Sequence, residues 1–206
     1  QGQVNTKIDL RFARVLRAVL RQNPDIILVG EIRDIETAKV SIQAALTGHL
    51  VFSTLHTRDA PSAIARLMDM GVEPYLVADT LVGVVAQRLI RKICTQCKTA
   101  SPAGPAESLR LKEWGLKSDR LFYGKGCDAC GMTGYRGRVS LYEMMQISQE
   151  VREMITAKQP LDQIRTAARR SGMTTLREEG LRLVREGVTT LQEVLESTTP
   201  EKEGGA

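Results

Sequence analysis

Two cysteine pairs, Cys94-x-x-Cys97 and Cys127-x-x-Cys130, carry the most specific chemistry in this sequence. Each pair presents two thiolates on one small knuckle, and two knuckles together supply the four sulfurs of a closed, tetrahedral structural zinc site. Gly126 and Gly131 suit the tight backbone turns around the second knuckle. Four thiolates around Zn²⁺ leave a formal charge of about −2. Arg91, Lys92, Lys98 and Arg136 stand close enough in sequence to offset it. Two disulfides and a redox-active pair are the competing readings of the same cysteines. No export signal is expected of this chain, which disfavours the disulfides, and a full set of four sulfurs disfavours a catalytic metal.

The second signal is Ile26-Ile27-Leu28-Val29 followed by Gly30-Glu31-Ile32-Arg33-Asp34. A short, β-branched-rich run of this kind is expected to be a strand buried on both faces of a parallel sheet. Such a strand delivers its next residue to the carboxyl edge of the sheet, where α/β folds place their ligands. A carboxylate there, Glu31, can hold a Mg²⁺-bound water or orient the water that attacks a γ-phosphate. The plainer alternative is a strand followed by a capped helix. The third signal is His49 and His56, the only histidines of the chain, which bracket a second strand pattern over 50–55 with Ser53 and Thr54 at its end. A histidine at a strand edge can donate to a phosphate and a Ser/Thr pair can hydrogen-bond one, whereas a single histidine more simply fills a structural role.

The elements that must hold these residues follow from periodicity. Phe12, Val15, Leu16, Val19 and Leu20 make one apolar helical stripe over 10–20, with Arg14, Arg17 and Arg21 on another face. Asn23-Pro24 ends that helix. Asp34 caps a helix reaching Leu46, with Gly48 past its end. Asp59-Ala60-Pro61 opens another helix that Gly71 closes, and Glu73-Pro74 opens a long one expected to run to about Lys92. This alternation of strand and helix argues for parallel strands joined by crossover connections. The texture changes at Cys94: residues 98–137 are rich in Gly, Pro and Ser and read as a small inserted module. A strand-like run over 139–142 follows. Short helices come next, with turns near Gln159-Pro160, Ser171-Gly172 and Glu186-Gly187, and a frayed tail over 201–206.

The bulk properties allow this plan. The 206 residues hold one domain with small modules attached, and 42% hydrophobic and 26% charged residues are ordinary for a globular protein. With only 4% aromatics, the core must rest on Leu, Ile, Val, Met and Ala. A net charge of +5 permits nucleic-acid, acidic-membrane or nucleotide contacts and selects none of them. The most apolar stretch, 75–90, contains Asp79, Gln87 and Arg88, so it reads as a buried helix rather than a membrane span. The opening Gln1-Gly2-Gln3-Val4-Asn5 reads like the middle of a domain, so the sequence is expected to be a piece of a longer chain.

Three strings in order resemble one family. The stretch 21–34 is similar to the Walker B region of the type II secretion and type IV pilus ATPases, 45–57 resembles that family's histidine box, and the double CxxC followed by Thr133-Gly-Tyr-Arg-Gly-Arg138 resembles its metal module. The resemblance implies an α/β fold: a partial RecA-like P-loop ATPase core with a parallel sheet, a tetracysteine zinc module and a helical C-terminal region. The corresponding divisions are 1–92 for the second half of the ATPase core, 93–137 for the zinc module and 138–206 for the helical region. It implies that Glu31 is the catalytic glutamate and that His49 and His56 lie near the γ-phosphate or couple its state to a neighbouring subunit. Cys94, Cys97, Cys127 and Cys130 are the implied zinc ligands. Arg17, Arg21, Arg33, Arg66 and Arg138 fall where the family carries arginines, as candidates for the nucleotide or the subunit interface. ATP, Mg²⁺ and Zn²⁺ are the implied cofactors. A homo-hexamer and inner-membrane platform proteins of a pilus or secretion system are the implied partners, at the cytoplasmic side of the bacterial inner membrane, with no direct nucleic-acid partner. The double CxxC favours an assembly or secretion motor over a retraction motor.

No G-x-x-x-x-G-K-[ST] occurs in the 206 residues, so these residues contain no backbone cradle for phosphates, and hydrolysis is expected of the intact protein rather than of this segment alone. Two other readings remain open on the sequence. One is a zinc-ribbon nucleic-acid-binding module, which fits the basic charge and the CxxC pairs, although the aromatics needed for stacking are few and scattered. The other is a catalytically silent scaffold of the same assembly.

Overall fold

The computed structural model describes residues 12–114 and 120–198. The expected frayed tail and the start of the first helix, before Phe12, lie outside the described residues. Along the chain come α1 (Phe12–Val19), β1 (Ile26–Val29), α2 (Ile35–Leu46), β2 (Leu50–Ser53), α3 (Ser62–Asp69), α4 (Pro74–Thr80) and β3 (Gly83–Ile93). They are followed by β4 (Lys98–Pro102), α5 (Pro105–Glu113), β5 (Arg120–Gly124) and β6 (Tyr135–Gln146). Four helices close the series: α6 (Gln149–Thr156), α7 (Leu161–Arg170), α8 (Leu176–Arg185) and α9 (Leu191–Ser197). The chain divides into two compact units, one of Gln1–Val84 and Met145–Met173, the other of Val85–Met144 and Thr174–Ala206.

In the first unit, α1 tightens into a 3₁₀ turn and stops at Asn23, whose φ of 48° places it in the left-handed region just before Pro24. β1 and β2 pair in parallel, from Ile26↔Leu50 to Val29↔Ser53. The connection between them is α2, and Asp34 starts it by accepting from the Thr37 backbone N–H at 2.8 Å. Ala13 and Leu16 of α1, Ile27 and Val29 of β1, and Val40 and Ala44 of α2 form one buried cluster. Each large aliphatic in it contributes about 1.5–3 kcal/mol. The expected burial of β1 on both faces holds for one face only: Ile26 is 61% and Leu28 76% exposed. The reason is layering. Both packed helices sit against the Ile27/Val29 side, and among the described residues this sheet has only two strands. The rest of the unit is helical, with Ile64, Val77, Val151, Ile155 and Ile164 fully buried on α3, α4, α6 and α7.

The long helix expected from Pro74 to Lys92 is corrected. Its helical part, α4, ends at Thr80, Leu81 takes extended dihedrals, and β3 follows. Val82-Gly83-Val84-Val85 places glycine and a β-branched run where a helix loses most. From Gly83 to Ile90 the even positions turn inward and the odd ones outward, which is the period of a strand. Val85 and Leu89 therefore stay exposed while Ala86 and Ile90 are buried.

In the second unit β3 pairs with β6, which is longer than the expected run over 139–142. β4 and β5 form an antiparallel ribbon, Lys98↔Gly124 to Pro102↔Arg120. Thr175 and Glu178 cap α8 reciprocally, and Thr190 caps α9. Among the described residues no helix is long and apolar enough to cross a membrane.

Candidate active site and metal centre

The register Val29↔Ser53 ends β1 and β2 at the same level, so the residues that follow them meet at one carboxyl edge. There the Ile32 backbone N–H donates to the Thr54 carbonyl at 3.0 Å and the Thr54 hydroxyl donates to the Gly30 carbonyl at 2.7 Å. Glu31 lies between the two tied residues. Its Oε2 accepts from Arg33 Nε at 2.5 Å and faces His56 Nε2 at 3.3 Å. An ionised carboxylate only accepts, so the imidazole nitrogen facing it is the donor. The Glu31 side chain is 23% exposed, against 83% for His56. The Arg33 hydrogen bond, helped by His56, outweighs partial desolvation and holds the Glu31 carboxyl below its ordinary value of 4.5. Glu31 is therefore an anion at neutral pH. It is suited to orienting a water or supporting a Mg²⁺-bound one rather than to carrying a proton.

His49 stands apart from this group. β2 separates it from His56 by about 13 Å of strand. Its Nδ1 lies 2.9 Å from the Ala44 carbonyl and 3.1 Å from the Thr47 hydroxyl. A carbonyl cannot donate, so Nδ1 carries the proton and ties the start of β2 to the end of α2. Of the five candidate arginines, Arg33 joins Glu31 and Arg17 pairs with Glu36 at 3.0 Å, while Arg21, Arg66 and Arg138 are exposed. Arg33 as the partner of Glu31 was legible in principle, since the two opposite charges stand only two residues apart. Thr54, considered for a phosphate, gives its proton to the Gly30 carbonyl.

The four cysteines of the second unit converge. They form no disulfide, and their sulfurs all lie within 4.8 Å of one another. Cys94–Cys127 and Cys97–Cys130 are 3.9 Å apart, and Cys127–Cys130 is 3.8 Å. A tetrahedron of sulfurs about 2.3 Å from a Zn²⁺ has edges of about 3.8 Å, so the donor set fits a closed tetrathiolate site. Burial pushes the Cys130 thiol up, but the backbone N–H groups of Cys127 and Gly134, each 3.3 Å from its sulfur, bring it down to about 6. Burial pushes Cys97 up to about 11. Gly131, expected to suit a tight turn, takes φ 59° at the knuckle, in the left-handed region that glycine enters freely. Sequence reasoning missed Gly124 and Gly134: their backbones approach so closely that a Cβ on Gly134 would stand 2.5 Å from the Gly124 carbonyl oxygen.

Arg91, expected to offset the thiolates, is engaged by Glu193. Its backbone N–H, Nε and Nη2 donate to that buried carboxylate at 2.9, 2.8 and 2.5 Å. Its guanidinium also lies over the Tyr135 ring, 4.2 Å from the centroid.

An acid and a histidine at the carboxyl edge of a parallel β–α–β unit, in a chain that also carries a tetracysteine site and short C-terminal helices, define an α/β domain with a metal-site module. The chain belongs to the family of type II/IV secretion system proteins, whose sequence model matches residues 1–196. It is 52% identical over 201 residues to the type IV pilus assembly ATPase PilB of Thermus thermophilus, covering 96% of this chain and 22% of that one. It is 47% identical over 198 residues to the type II secretion system protein HxcR of Pseudomonas aeruginosa, covering 96% of this chain and 39% of the relative. The crystal structure of the pilus retraction motor PilT with bound ADP superposes with a TM-score of 0.65 at 28% identity, over 94% of this chain and 45% of that one. The chain thus spans less than half the length of these relatives. The family resemblance and the α/β fold with its tetracysteine site are borne out.

Proposed function

We propose that the full-length protein containing this segment is an ATP-hydrolysing motor of a type IV pilus assembly or type II secretion system. The observation that supports it most is Glu31, an anionic carboxylate at the carboxyl edge of β1 within reach of His56. In this reading Glu31 orients the water that attacks the γ-phosphate, with Mg²⁺ neutralising charge on the nucleotide. His56 senses the phosphate through its bond to Glu31, and His49 acts from the opposite end of β2. The cysteines hold one structural Zn²⁺, which supplies rigidity rather than chemistry.

The subunits form a ring of six in this reading. Arg17, Arg21, Arg33, Arg66 and Arg138 are candidates for the nucleotide or the interface between subunits. Residues 1–92 act as the second half of the ATPase core, 93–137 as the zinc module and 138–206 as the mainly helical region. The motor works at the cytoplasmic face of the inner membrane and passes its work to a platform there.

The test uses the full-length protein. Phosphate release from ATP is expected to require Mg²⁺, and the mass in solution with nucleotide is expected to equal six copies. A folded, zinc-loaded protein that neither binds ATP nor releases phosphate would overturn the motor reading in favour of the silent scaffold.

A further inference from the structure

We infer that Thr54 is a positioning residue for Glu31, acting through the backbone of the strand end and not on the nucleotide. The inference rests on the reading of Glu31 given above. Gly30 follows the last paired residue of β1 and has no side chain to restrict its dihedrals, so the segment carrying Glu31 is intrinsically loose. Thr54 removes that freedom at two points. Its hydroxyl donates to the Gly30 carbonyl at 2.7 Å, and its carbonyl accepts from the Ile32 N–H at 3.0 Å. Glu31 is the one residue between these ties. The backbone around its Cα is therefore fixed from both sides, while its side chain keeps the freedom to change partners.

The same residue sets the second half of the site. His56 lies two positions beyond Thr54, and its Nε2 reaches Glu31 Oε2 at 3.3 Å. The Thr54 ties thus govern both the direction of the carboxylate and its separation from the imidazole. The hydroxyl's proton is committed to a carbonyl, which argues against a primary role in holding phosphate. Thr54 is exposed, so a hydroxyl here is not needed to satisfy a buried group. Its value lies in geometry. A displacement of about 1 Å at a catalytic group costs up to about 100-fold in rate.

The experiment measures kcat and KM for ATP in the full-length protein with Thr54→Val, Thr54→Ala and Thr54→Ser, alongside Glu31→Gln. The two hydroxyl-free variants are expected to lose about 10- to 100-fold in kcat with KM within about 2-fold. Thr54→Ser, which keeps the donor, is expected to restore kcat to within about 3-fold. Two hydroxyl-free variants make the test independent of either one's folding, which melting curves check. Wild-type kcat in a hydroxyl-free variant overturns the inference, as does a Ser variant no better than Val. A raised KM at unchanged kcat also overturns it, because that would place the hydroxyl on the nucleotide. If Glu31→Gln turns over normally, the reading of Glu31 fails and removes this inference with it. Loss of turnover in Glu31→Gln beside a normal Thr54→Val sinks the Thr54 inference alone.

Discussion

At the carboxyl edge of β1 and β2, Glu31 is held by the side chains of Arg33 and His56, both long or terminal groups standing in solvent. At the cysteine knuckle, Cys130 is held by two backbone N–H groups, its sulfur sits among three others, and Cys94 is buried. The contrast separates two ways of building a chemical site. Side-chain partners on the surface can be exchanged when a ligand arrives, because each rotates away at little cost. Backbone donors in tight glycine turns cannot move without unfolding the loop. The first site is built to change partners and the second to keep them.

Removing the Zn²⁺ proposed for the four cysteines tests the fixed side of this contrast and carries the largest expected effect. Structural zinc in small tetrahedral sites is worth on the order of 10 kcal/mol at neutral pH. Stripping it with a strong chelator is expected to expose the amides of Val85–Met144 to hydrogen exchange while those of β1 and α2 stay protected. Unchanged protection around the cysteines would mean that the knuckle holds itself and that the metal is incidental.

A smaller effect is expected at Glu193, which resembles the knuckle in its burial and the edge in using an arginine. Burial raises its pKa, but the hydrogen bonds from Arg91 prevail and leave it below the ordinary 4.5. An acid with a depressed folded pKa contributes stability that is complete above its unfolded pKa and is lost as the pH falls through the folded one. Glu193→Gln should therefore cost about 1–3 kcal/mol at pH 7. The gap to wild type should close only as the pH drops below the ordinary carboxylate range. A gap that is flat across that range would show that Glu193 acts through packing, not charge.

What could be read in advance follows the range of the interactions. Asp34 capping α2, the helix end at Asn23-Pro24 and the two CxxC knuckles are local, each decided by residues a few positions apart. The position of Glu31 after an aliphatic strand was equally local. β3 was not legible, because the apolar residues of 75–90 fit helix and strand alike until Gly83 and the valines beside it are weighed as helix breakers. The ribbon of β4 and β5 hid inside a segment whose Gly, Pro and Ser content resembled loop. The Arg91–Glu193 clasp joins positions 102 apart in sequence, and no local pattern announces it. The exposed side of β1 depends on what packs against the sheet, which one strand's composition does not reveal.

The proposed assignment of catalysis to Glu31 has one direct test. The direct measurement is turnover and Mg-ATP affinity of the full-length Glu31→Gln protein beside wild type. Loss of the anion is expected to lower kcat by about 100-fold or more while the Kd for Mg-ATP stays within about 3-fold, because in the proposed motor Glu31 acts on the water and not on the bound nucleotide. Turnover at the wild-type rate would contradict the assignment and place the catalytic group elsewhere.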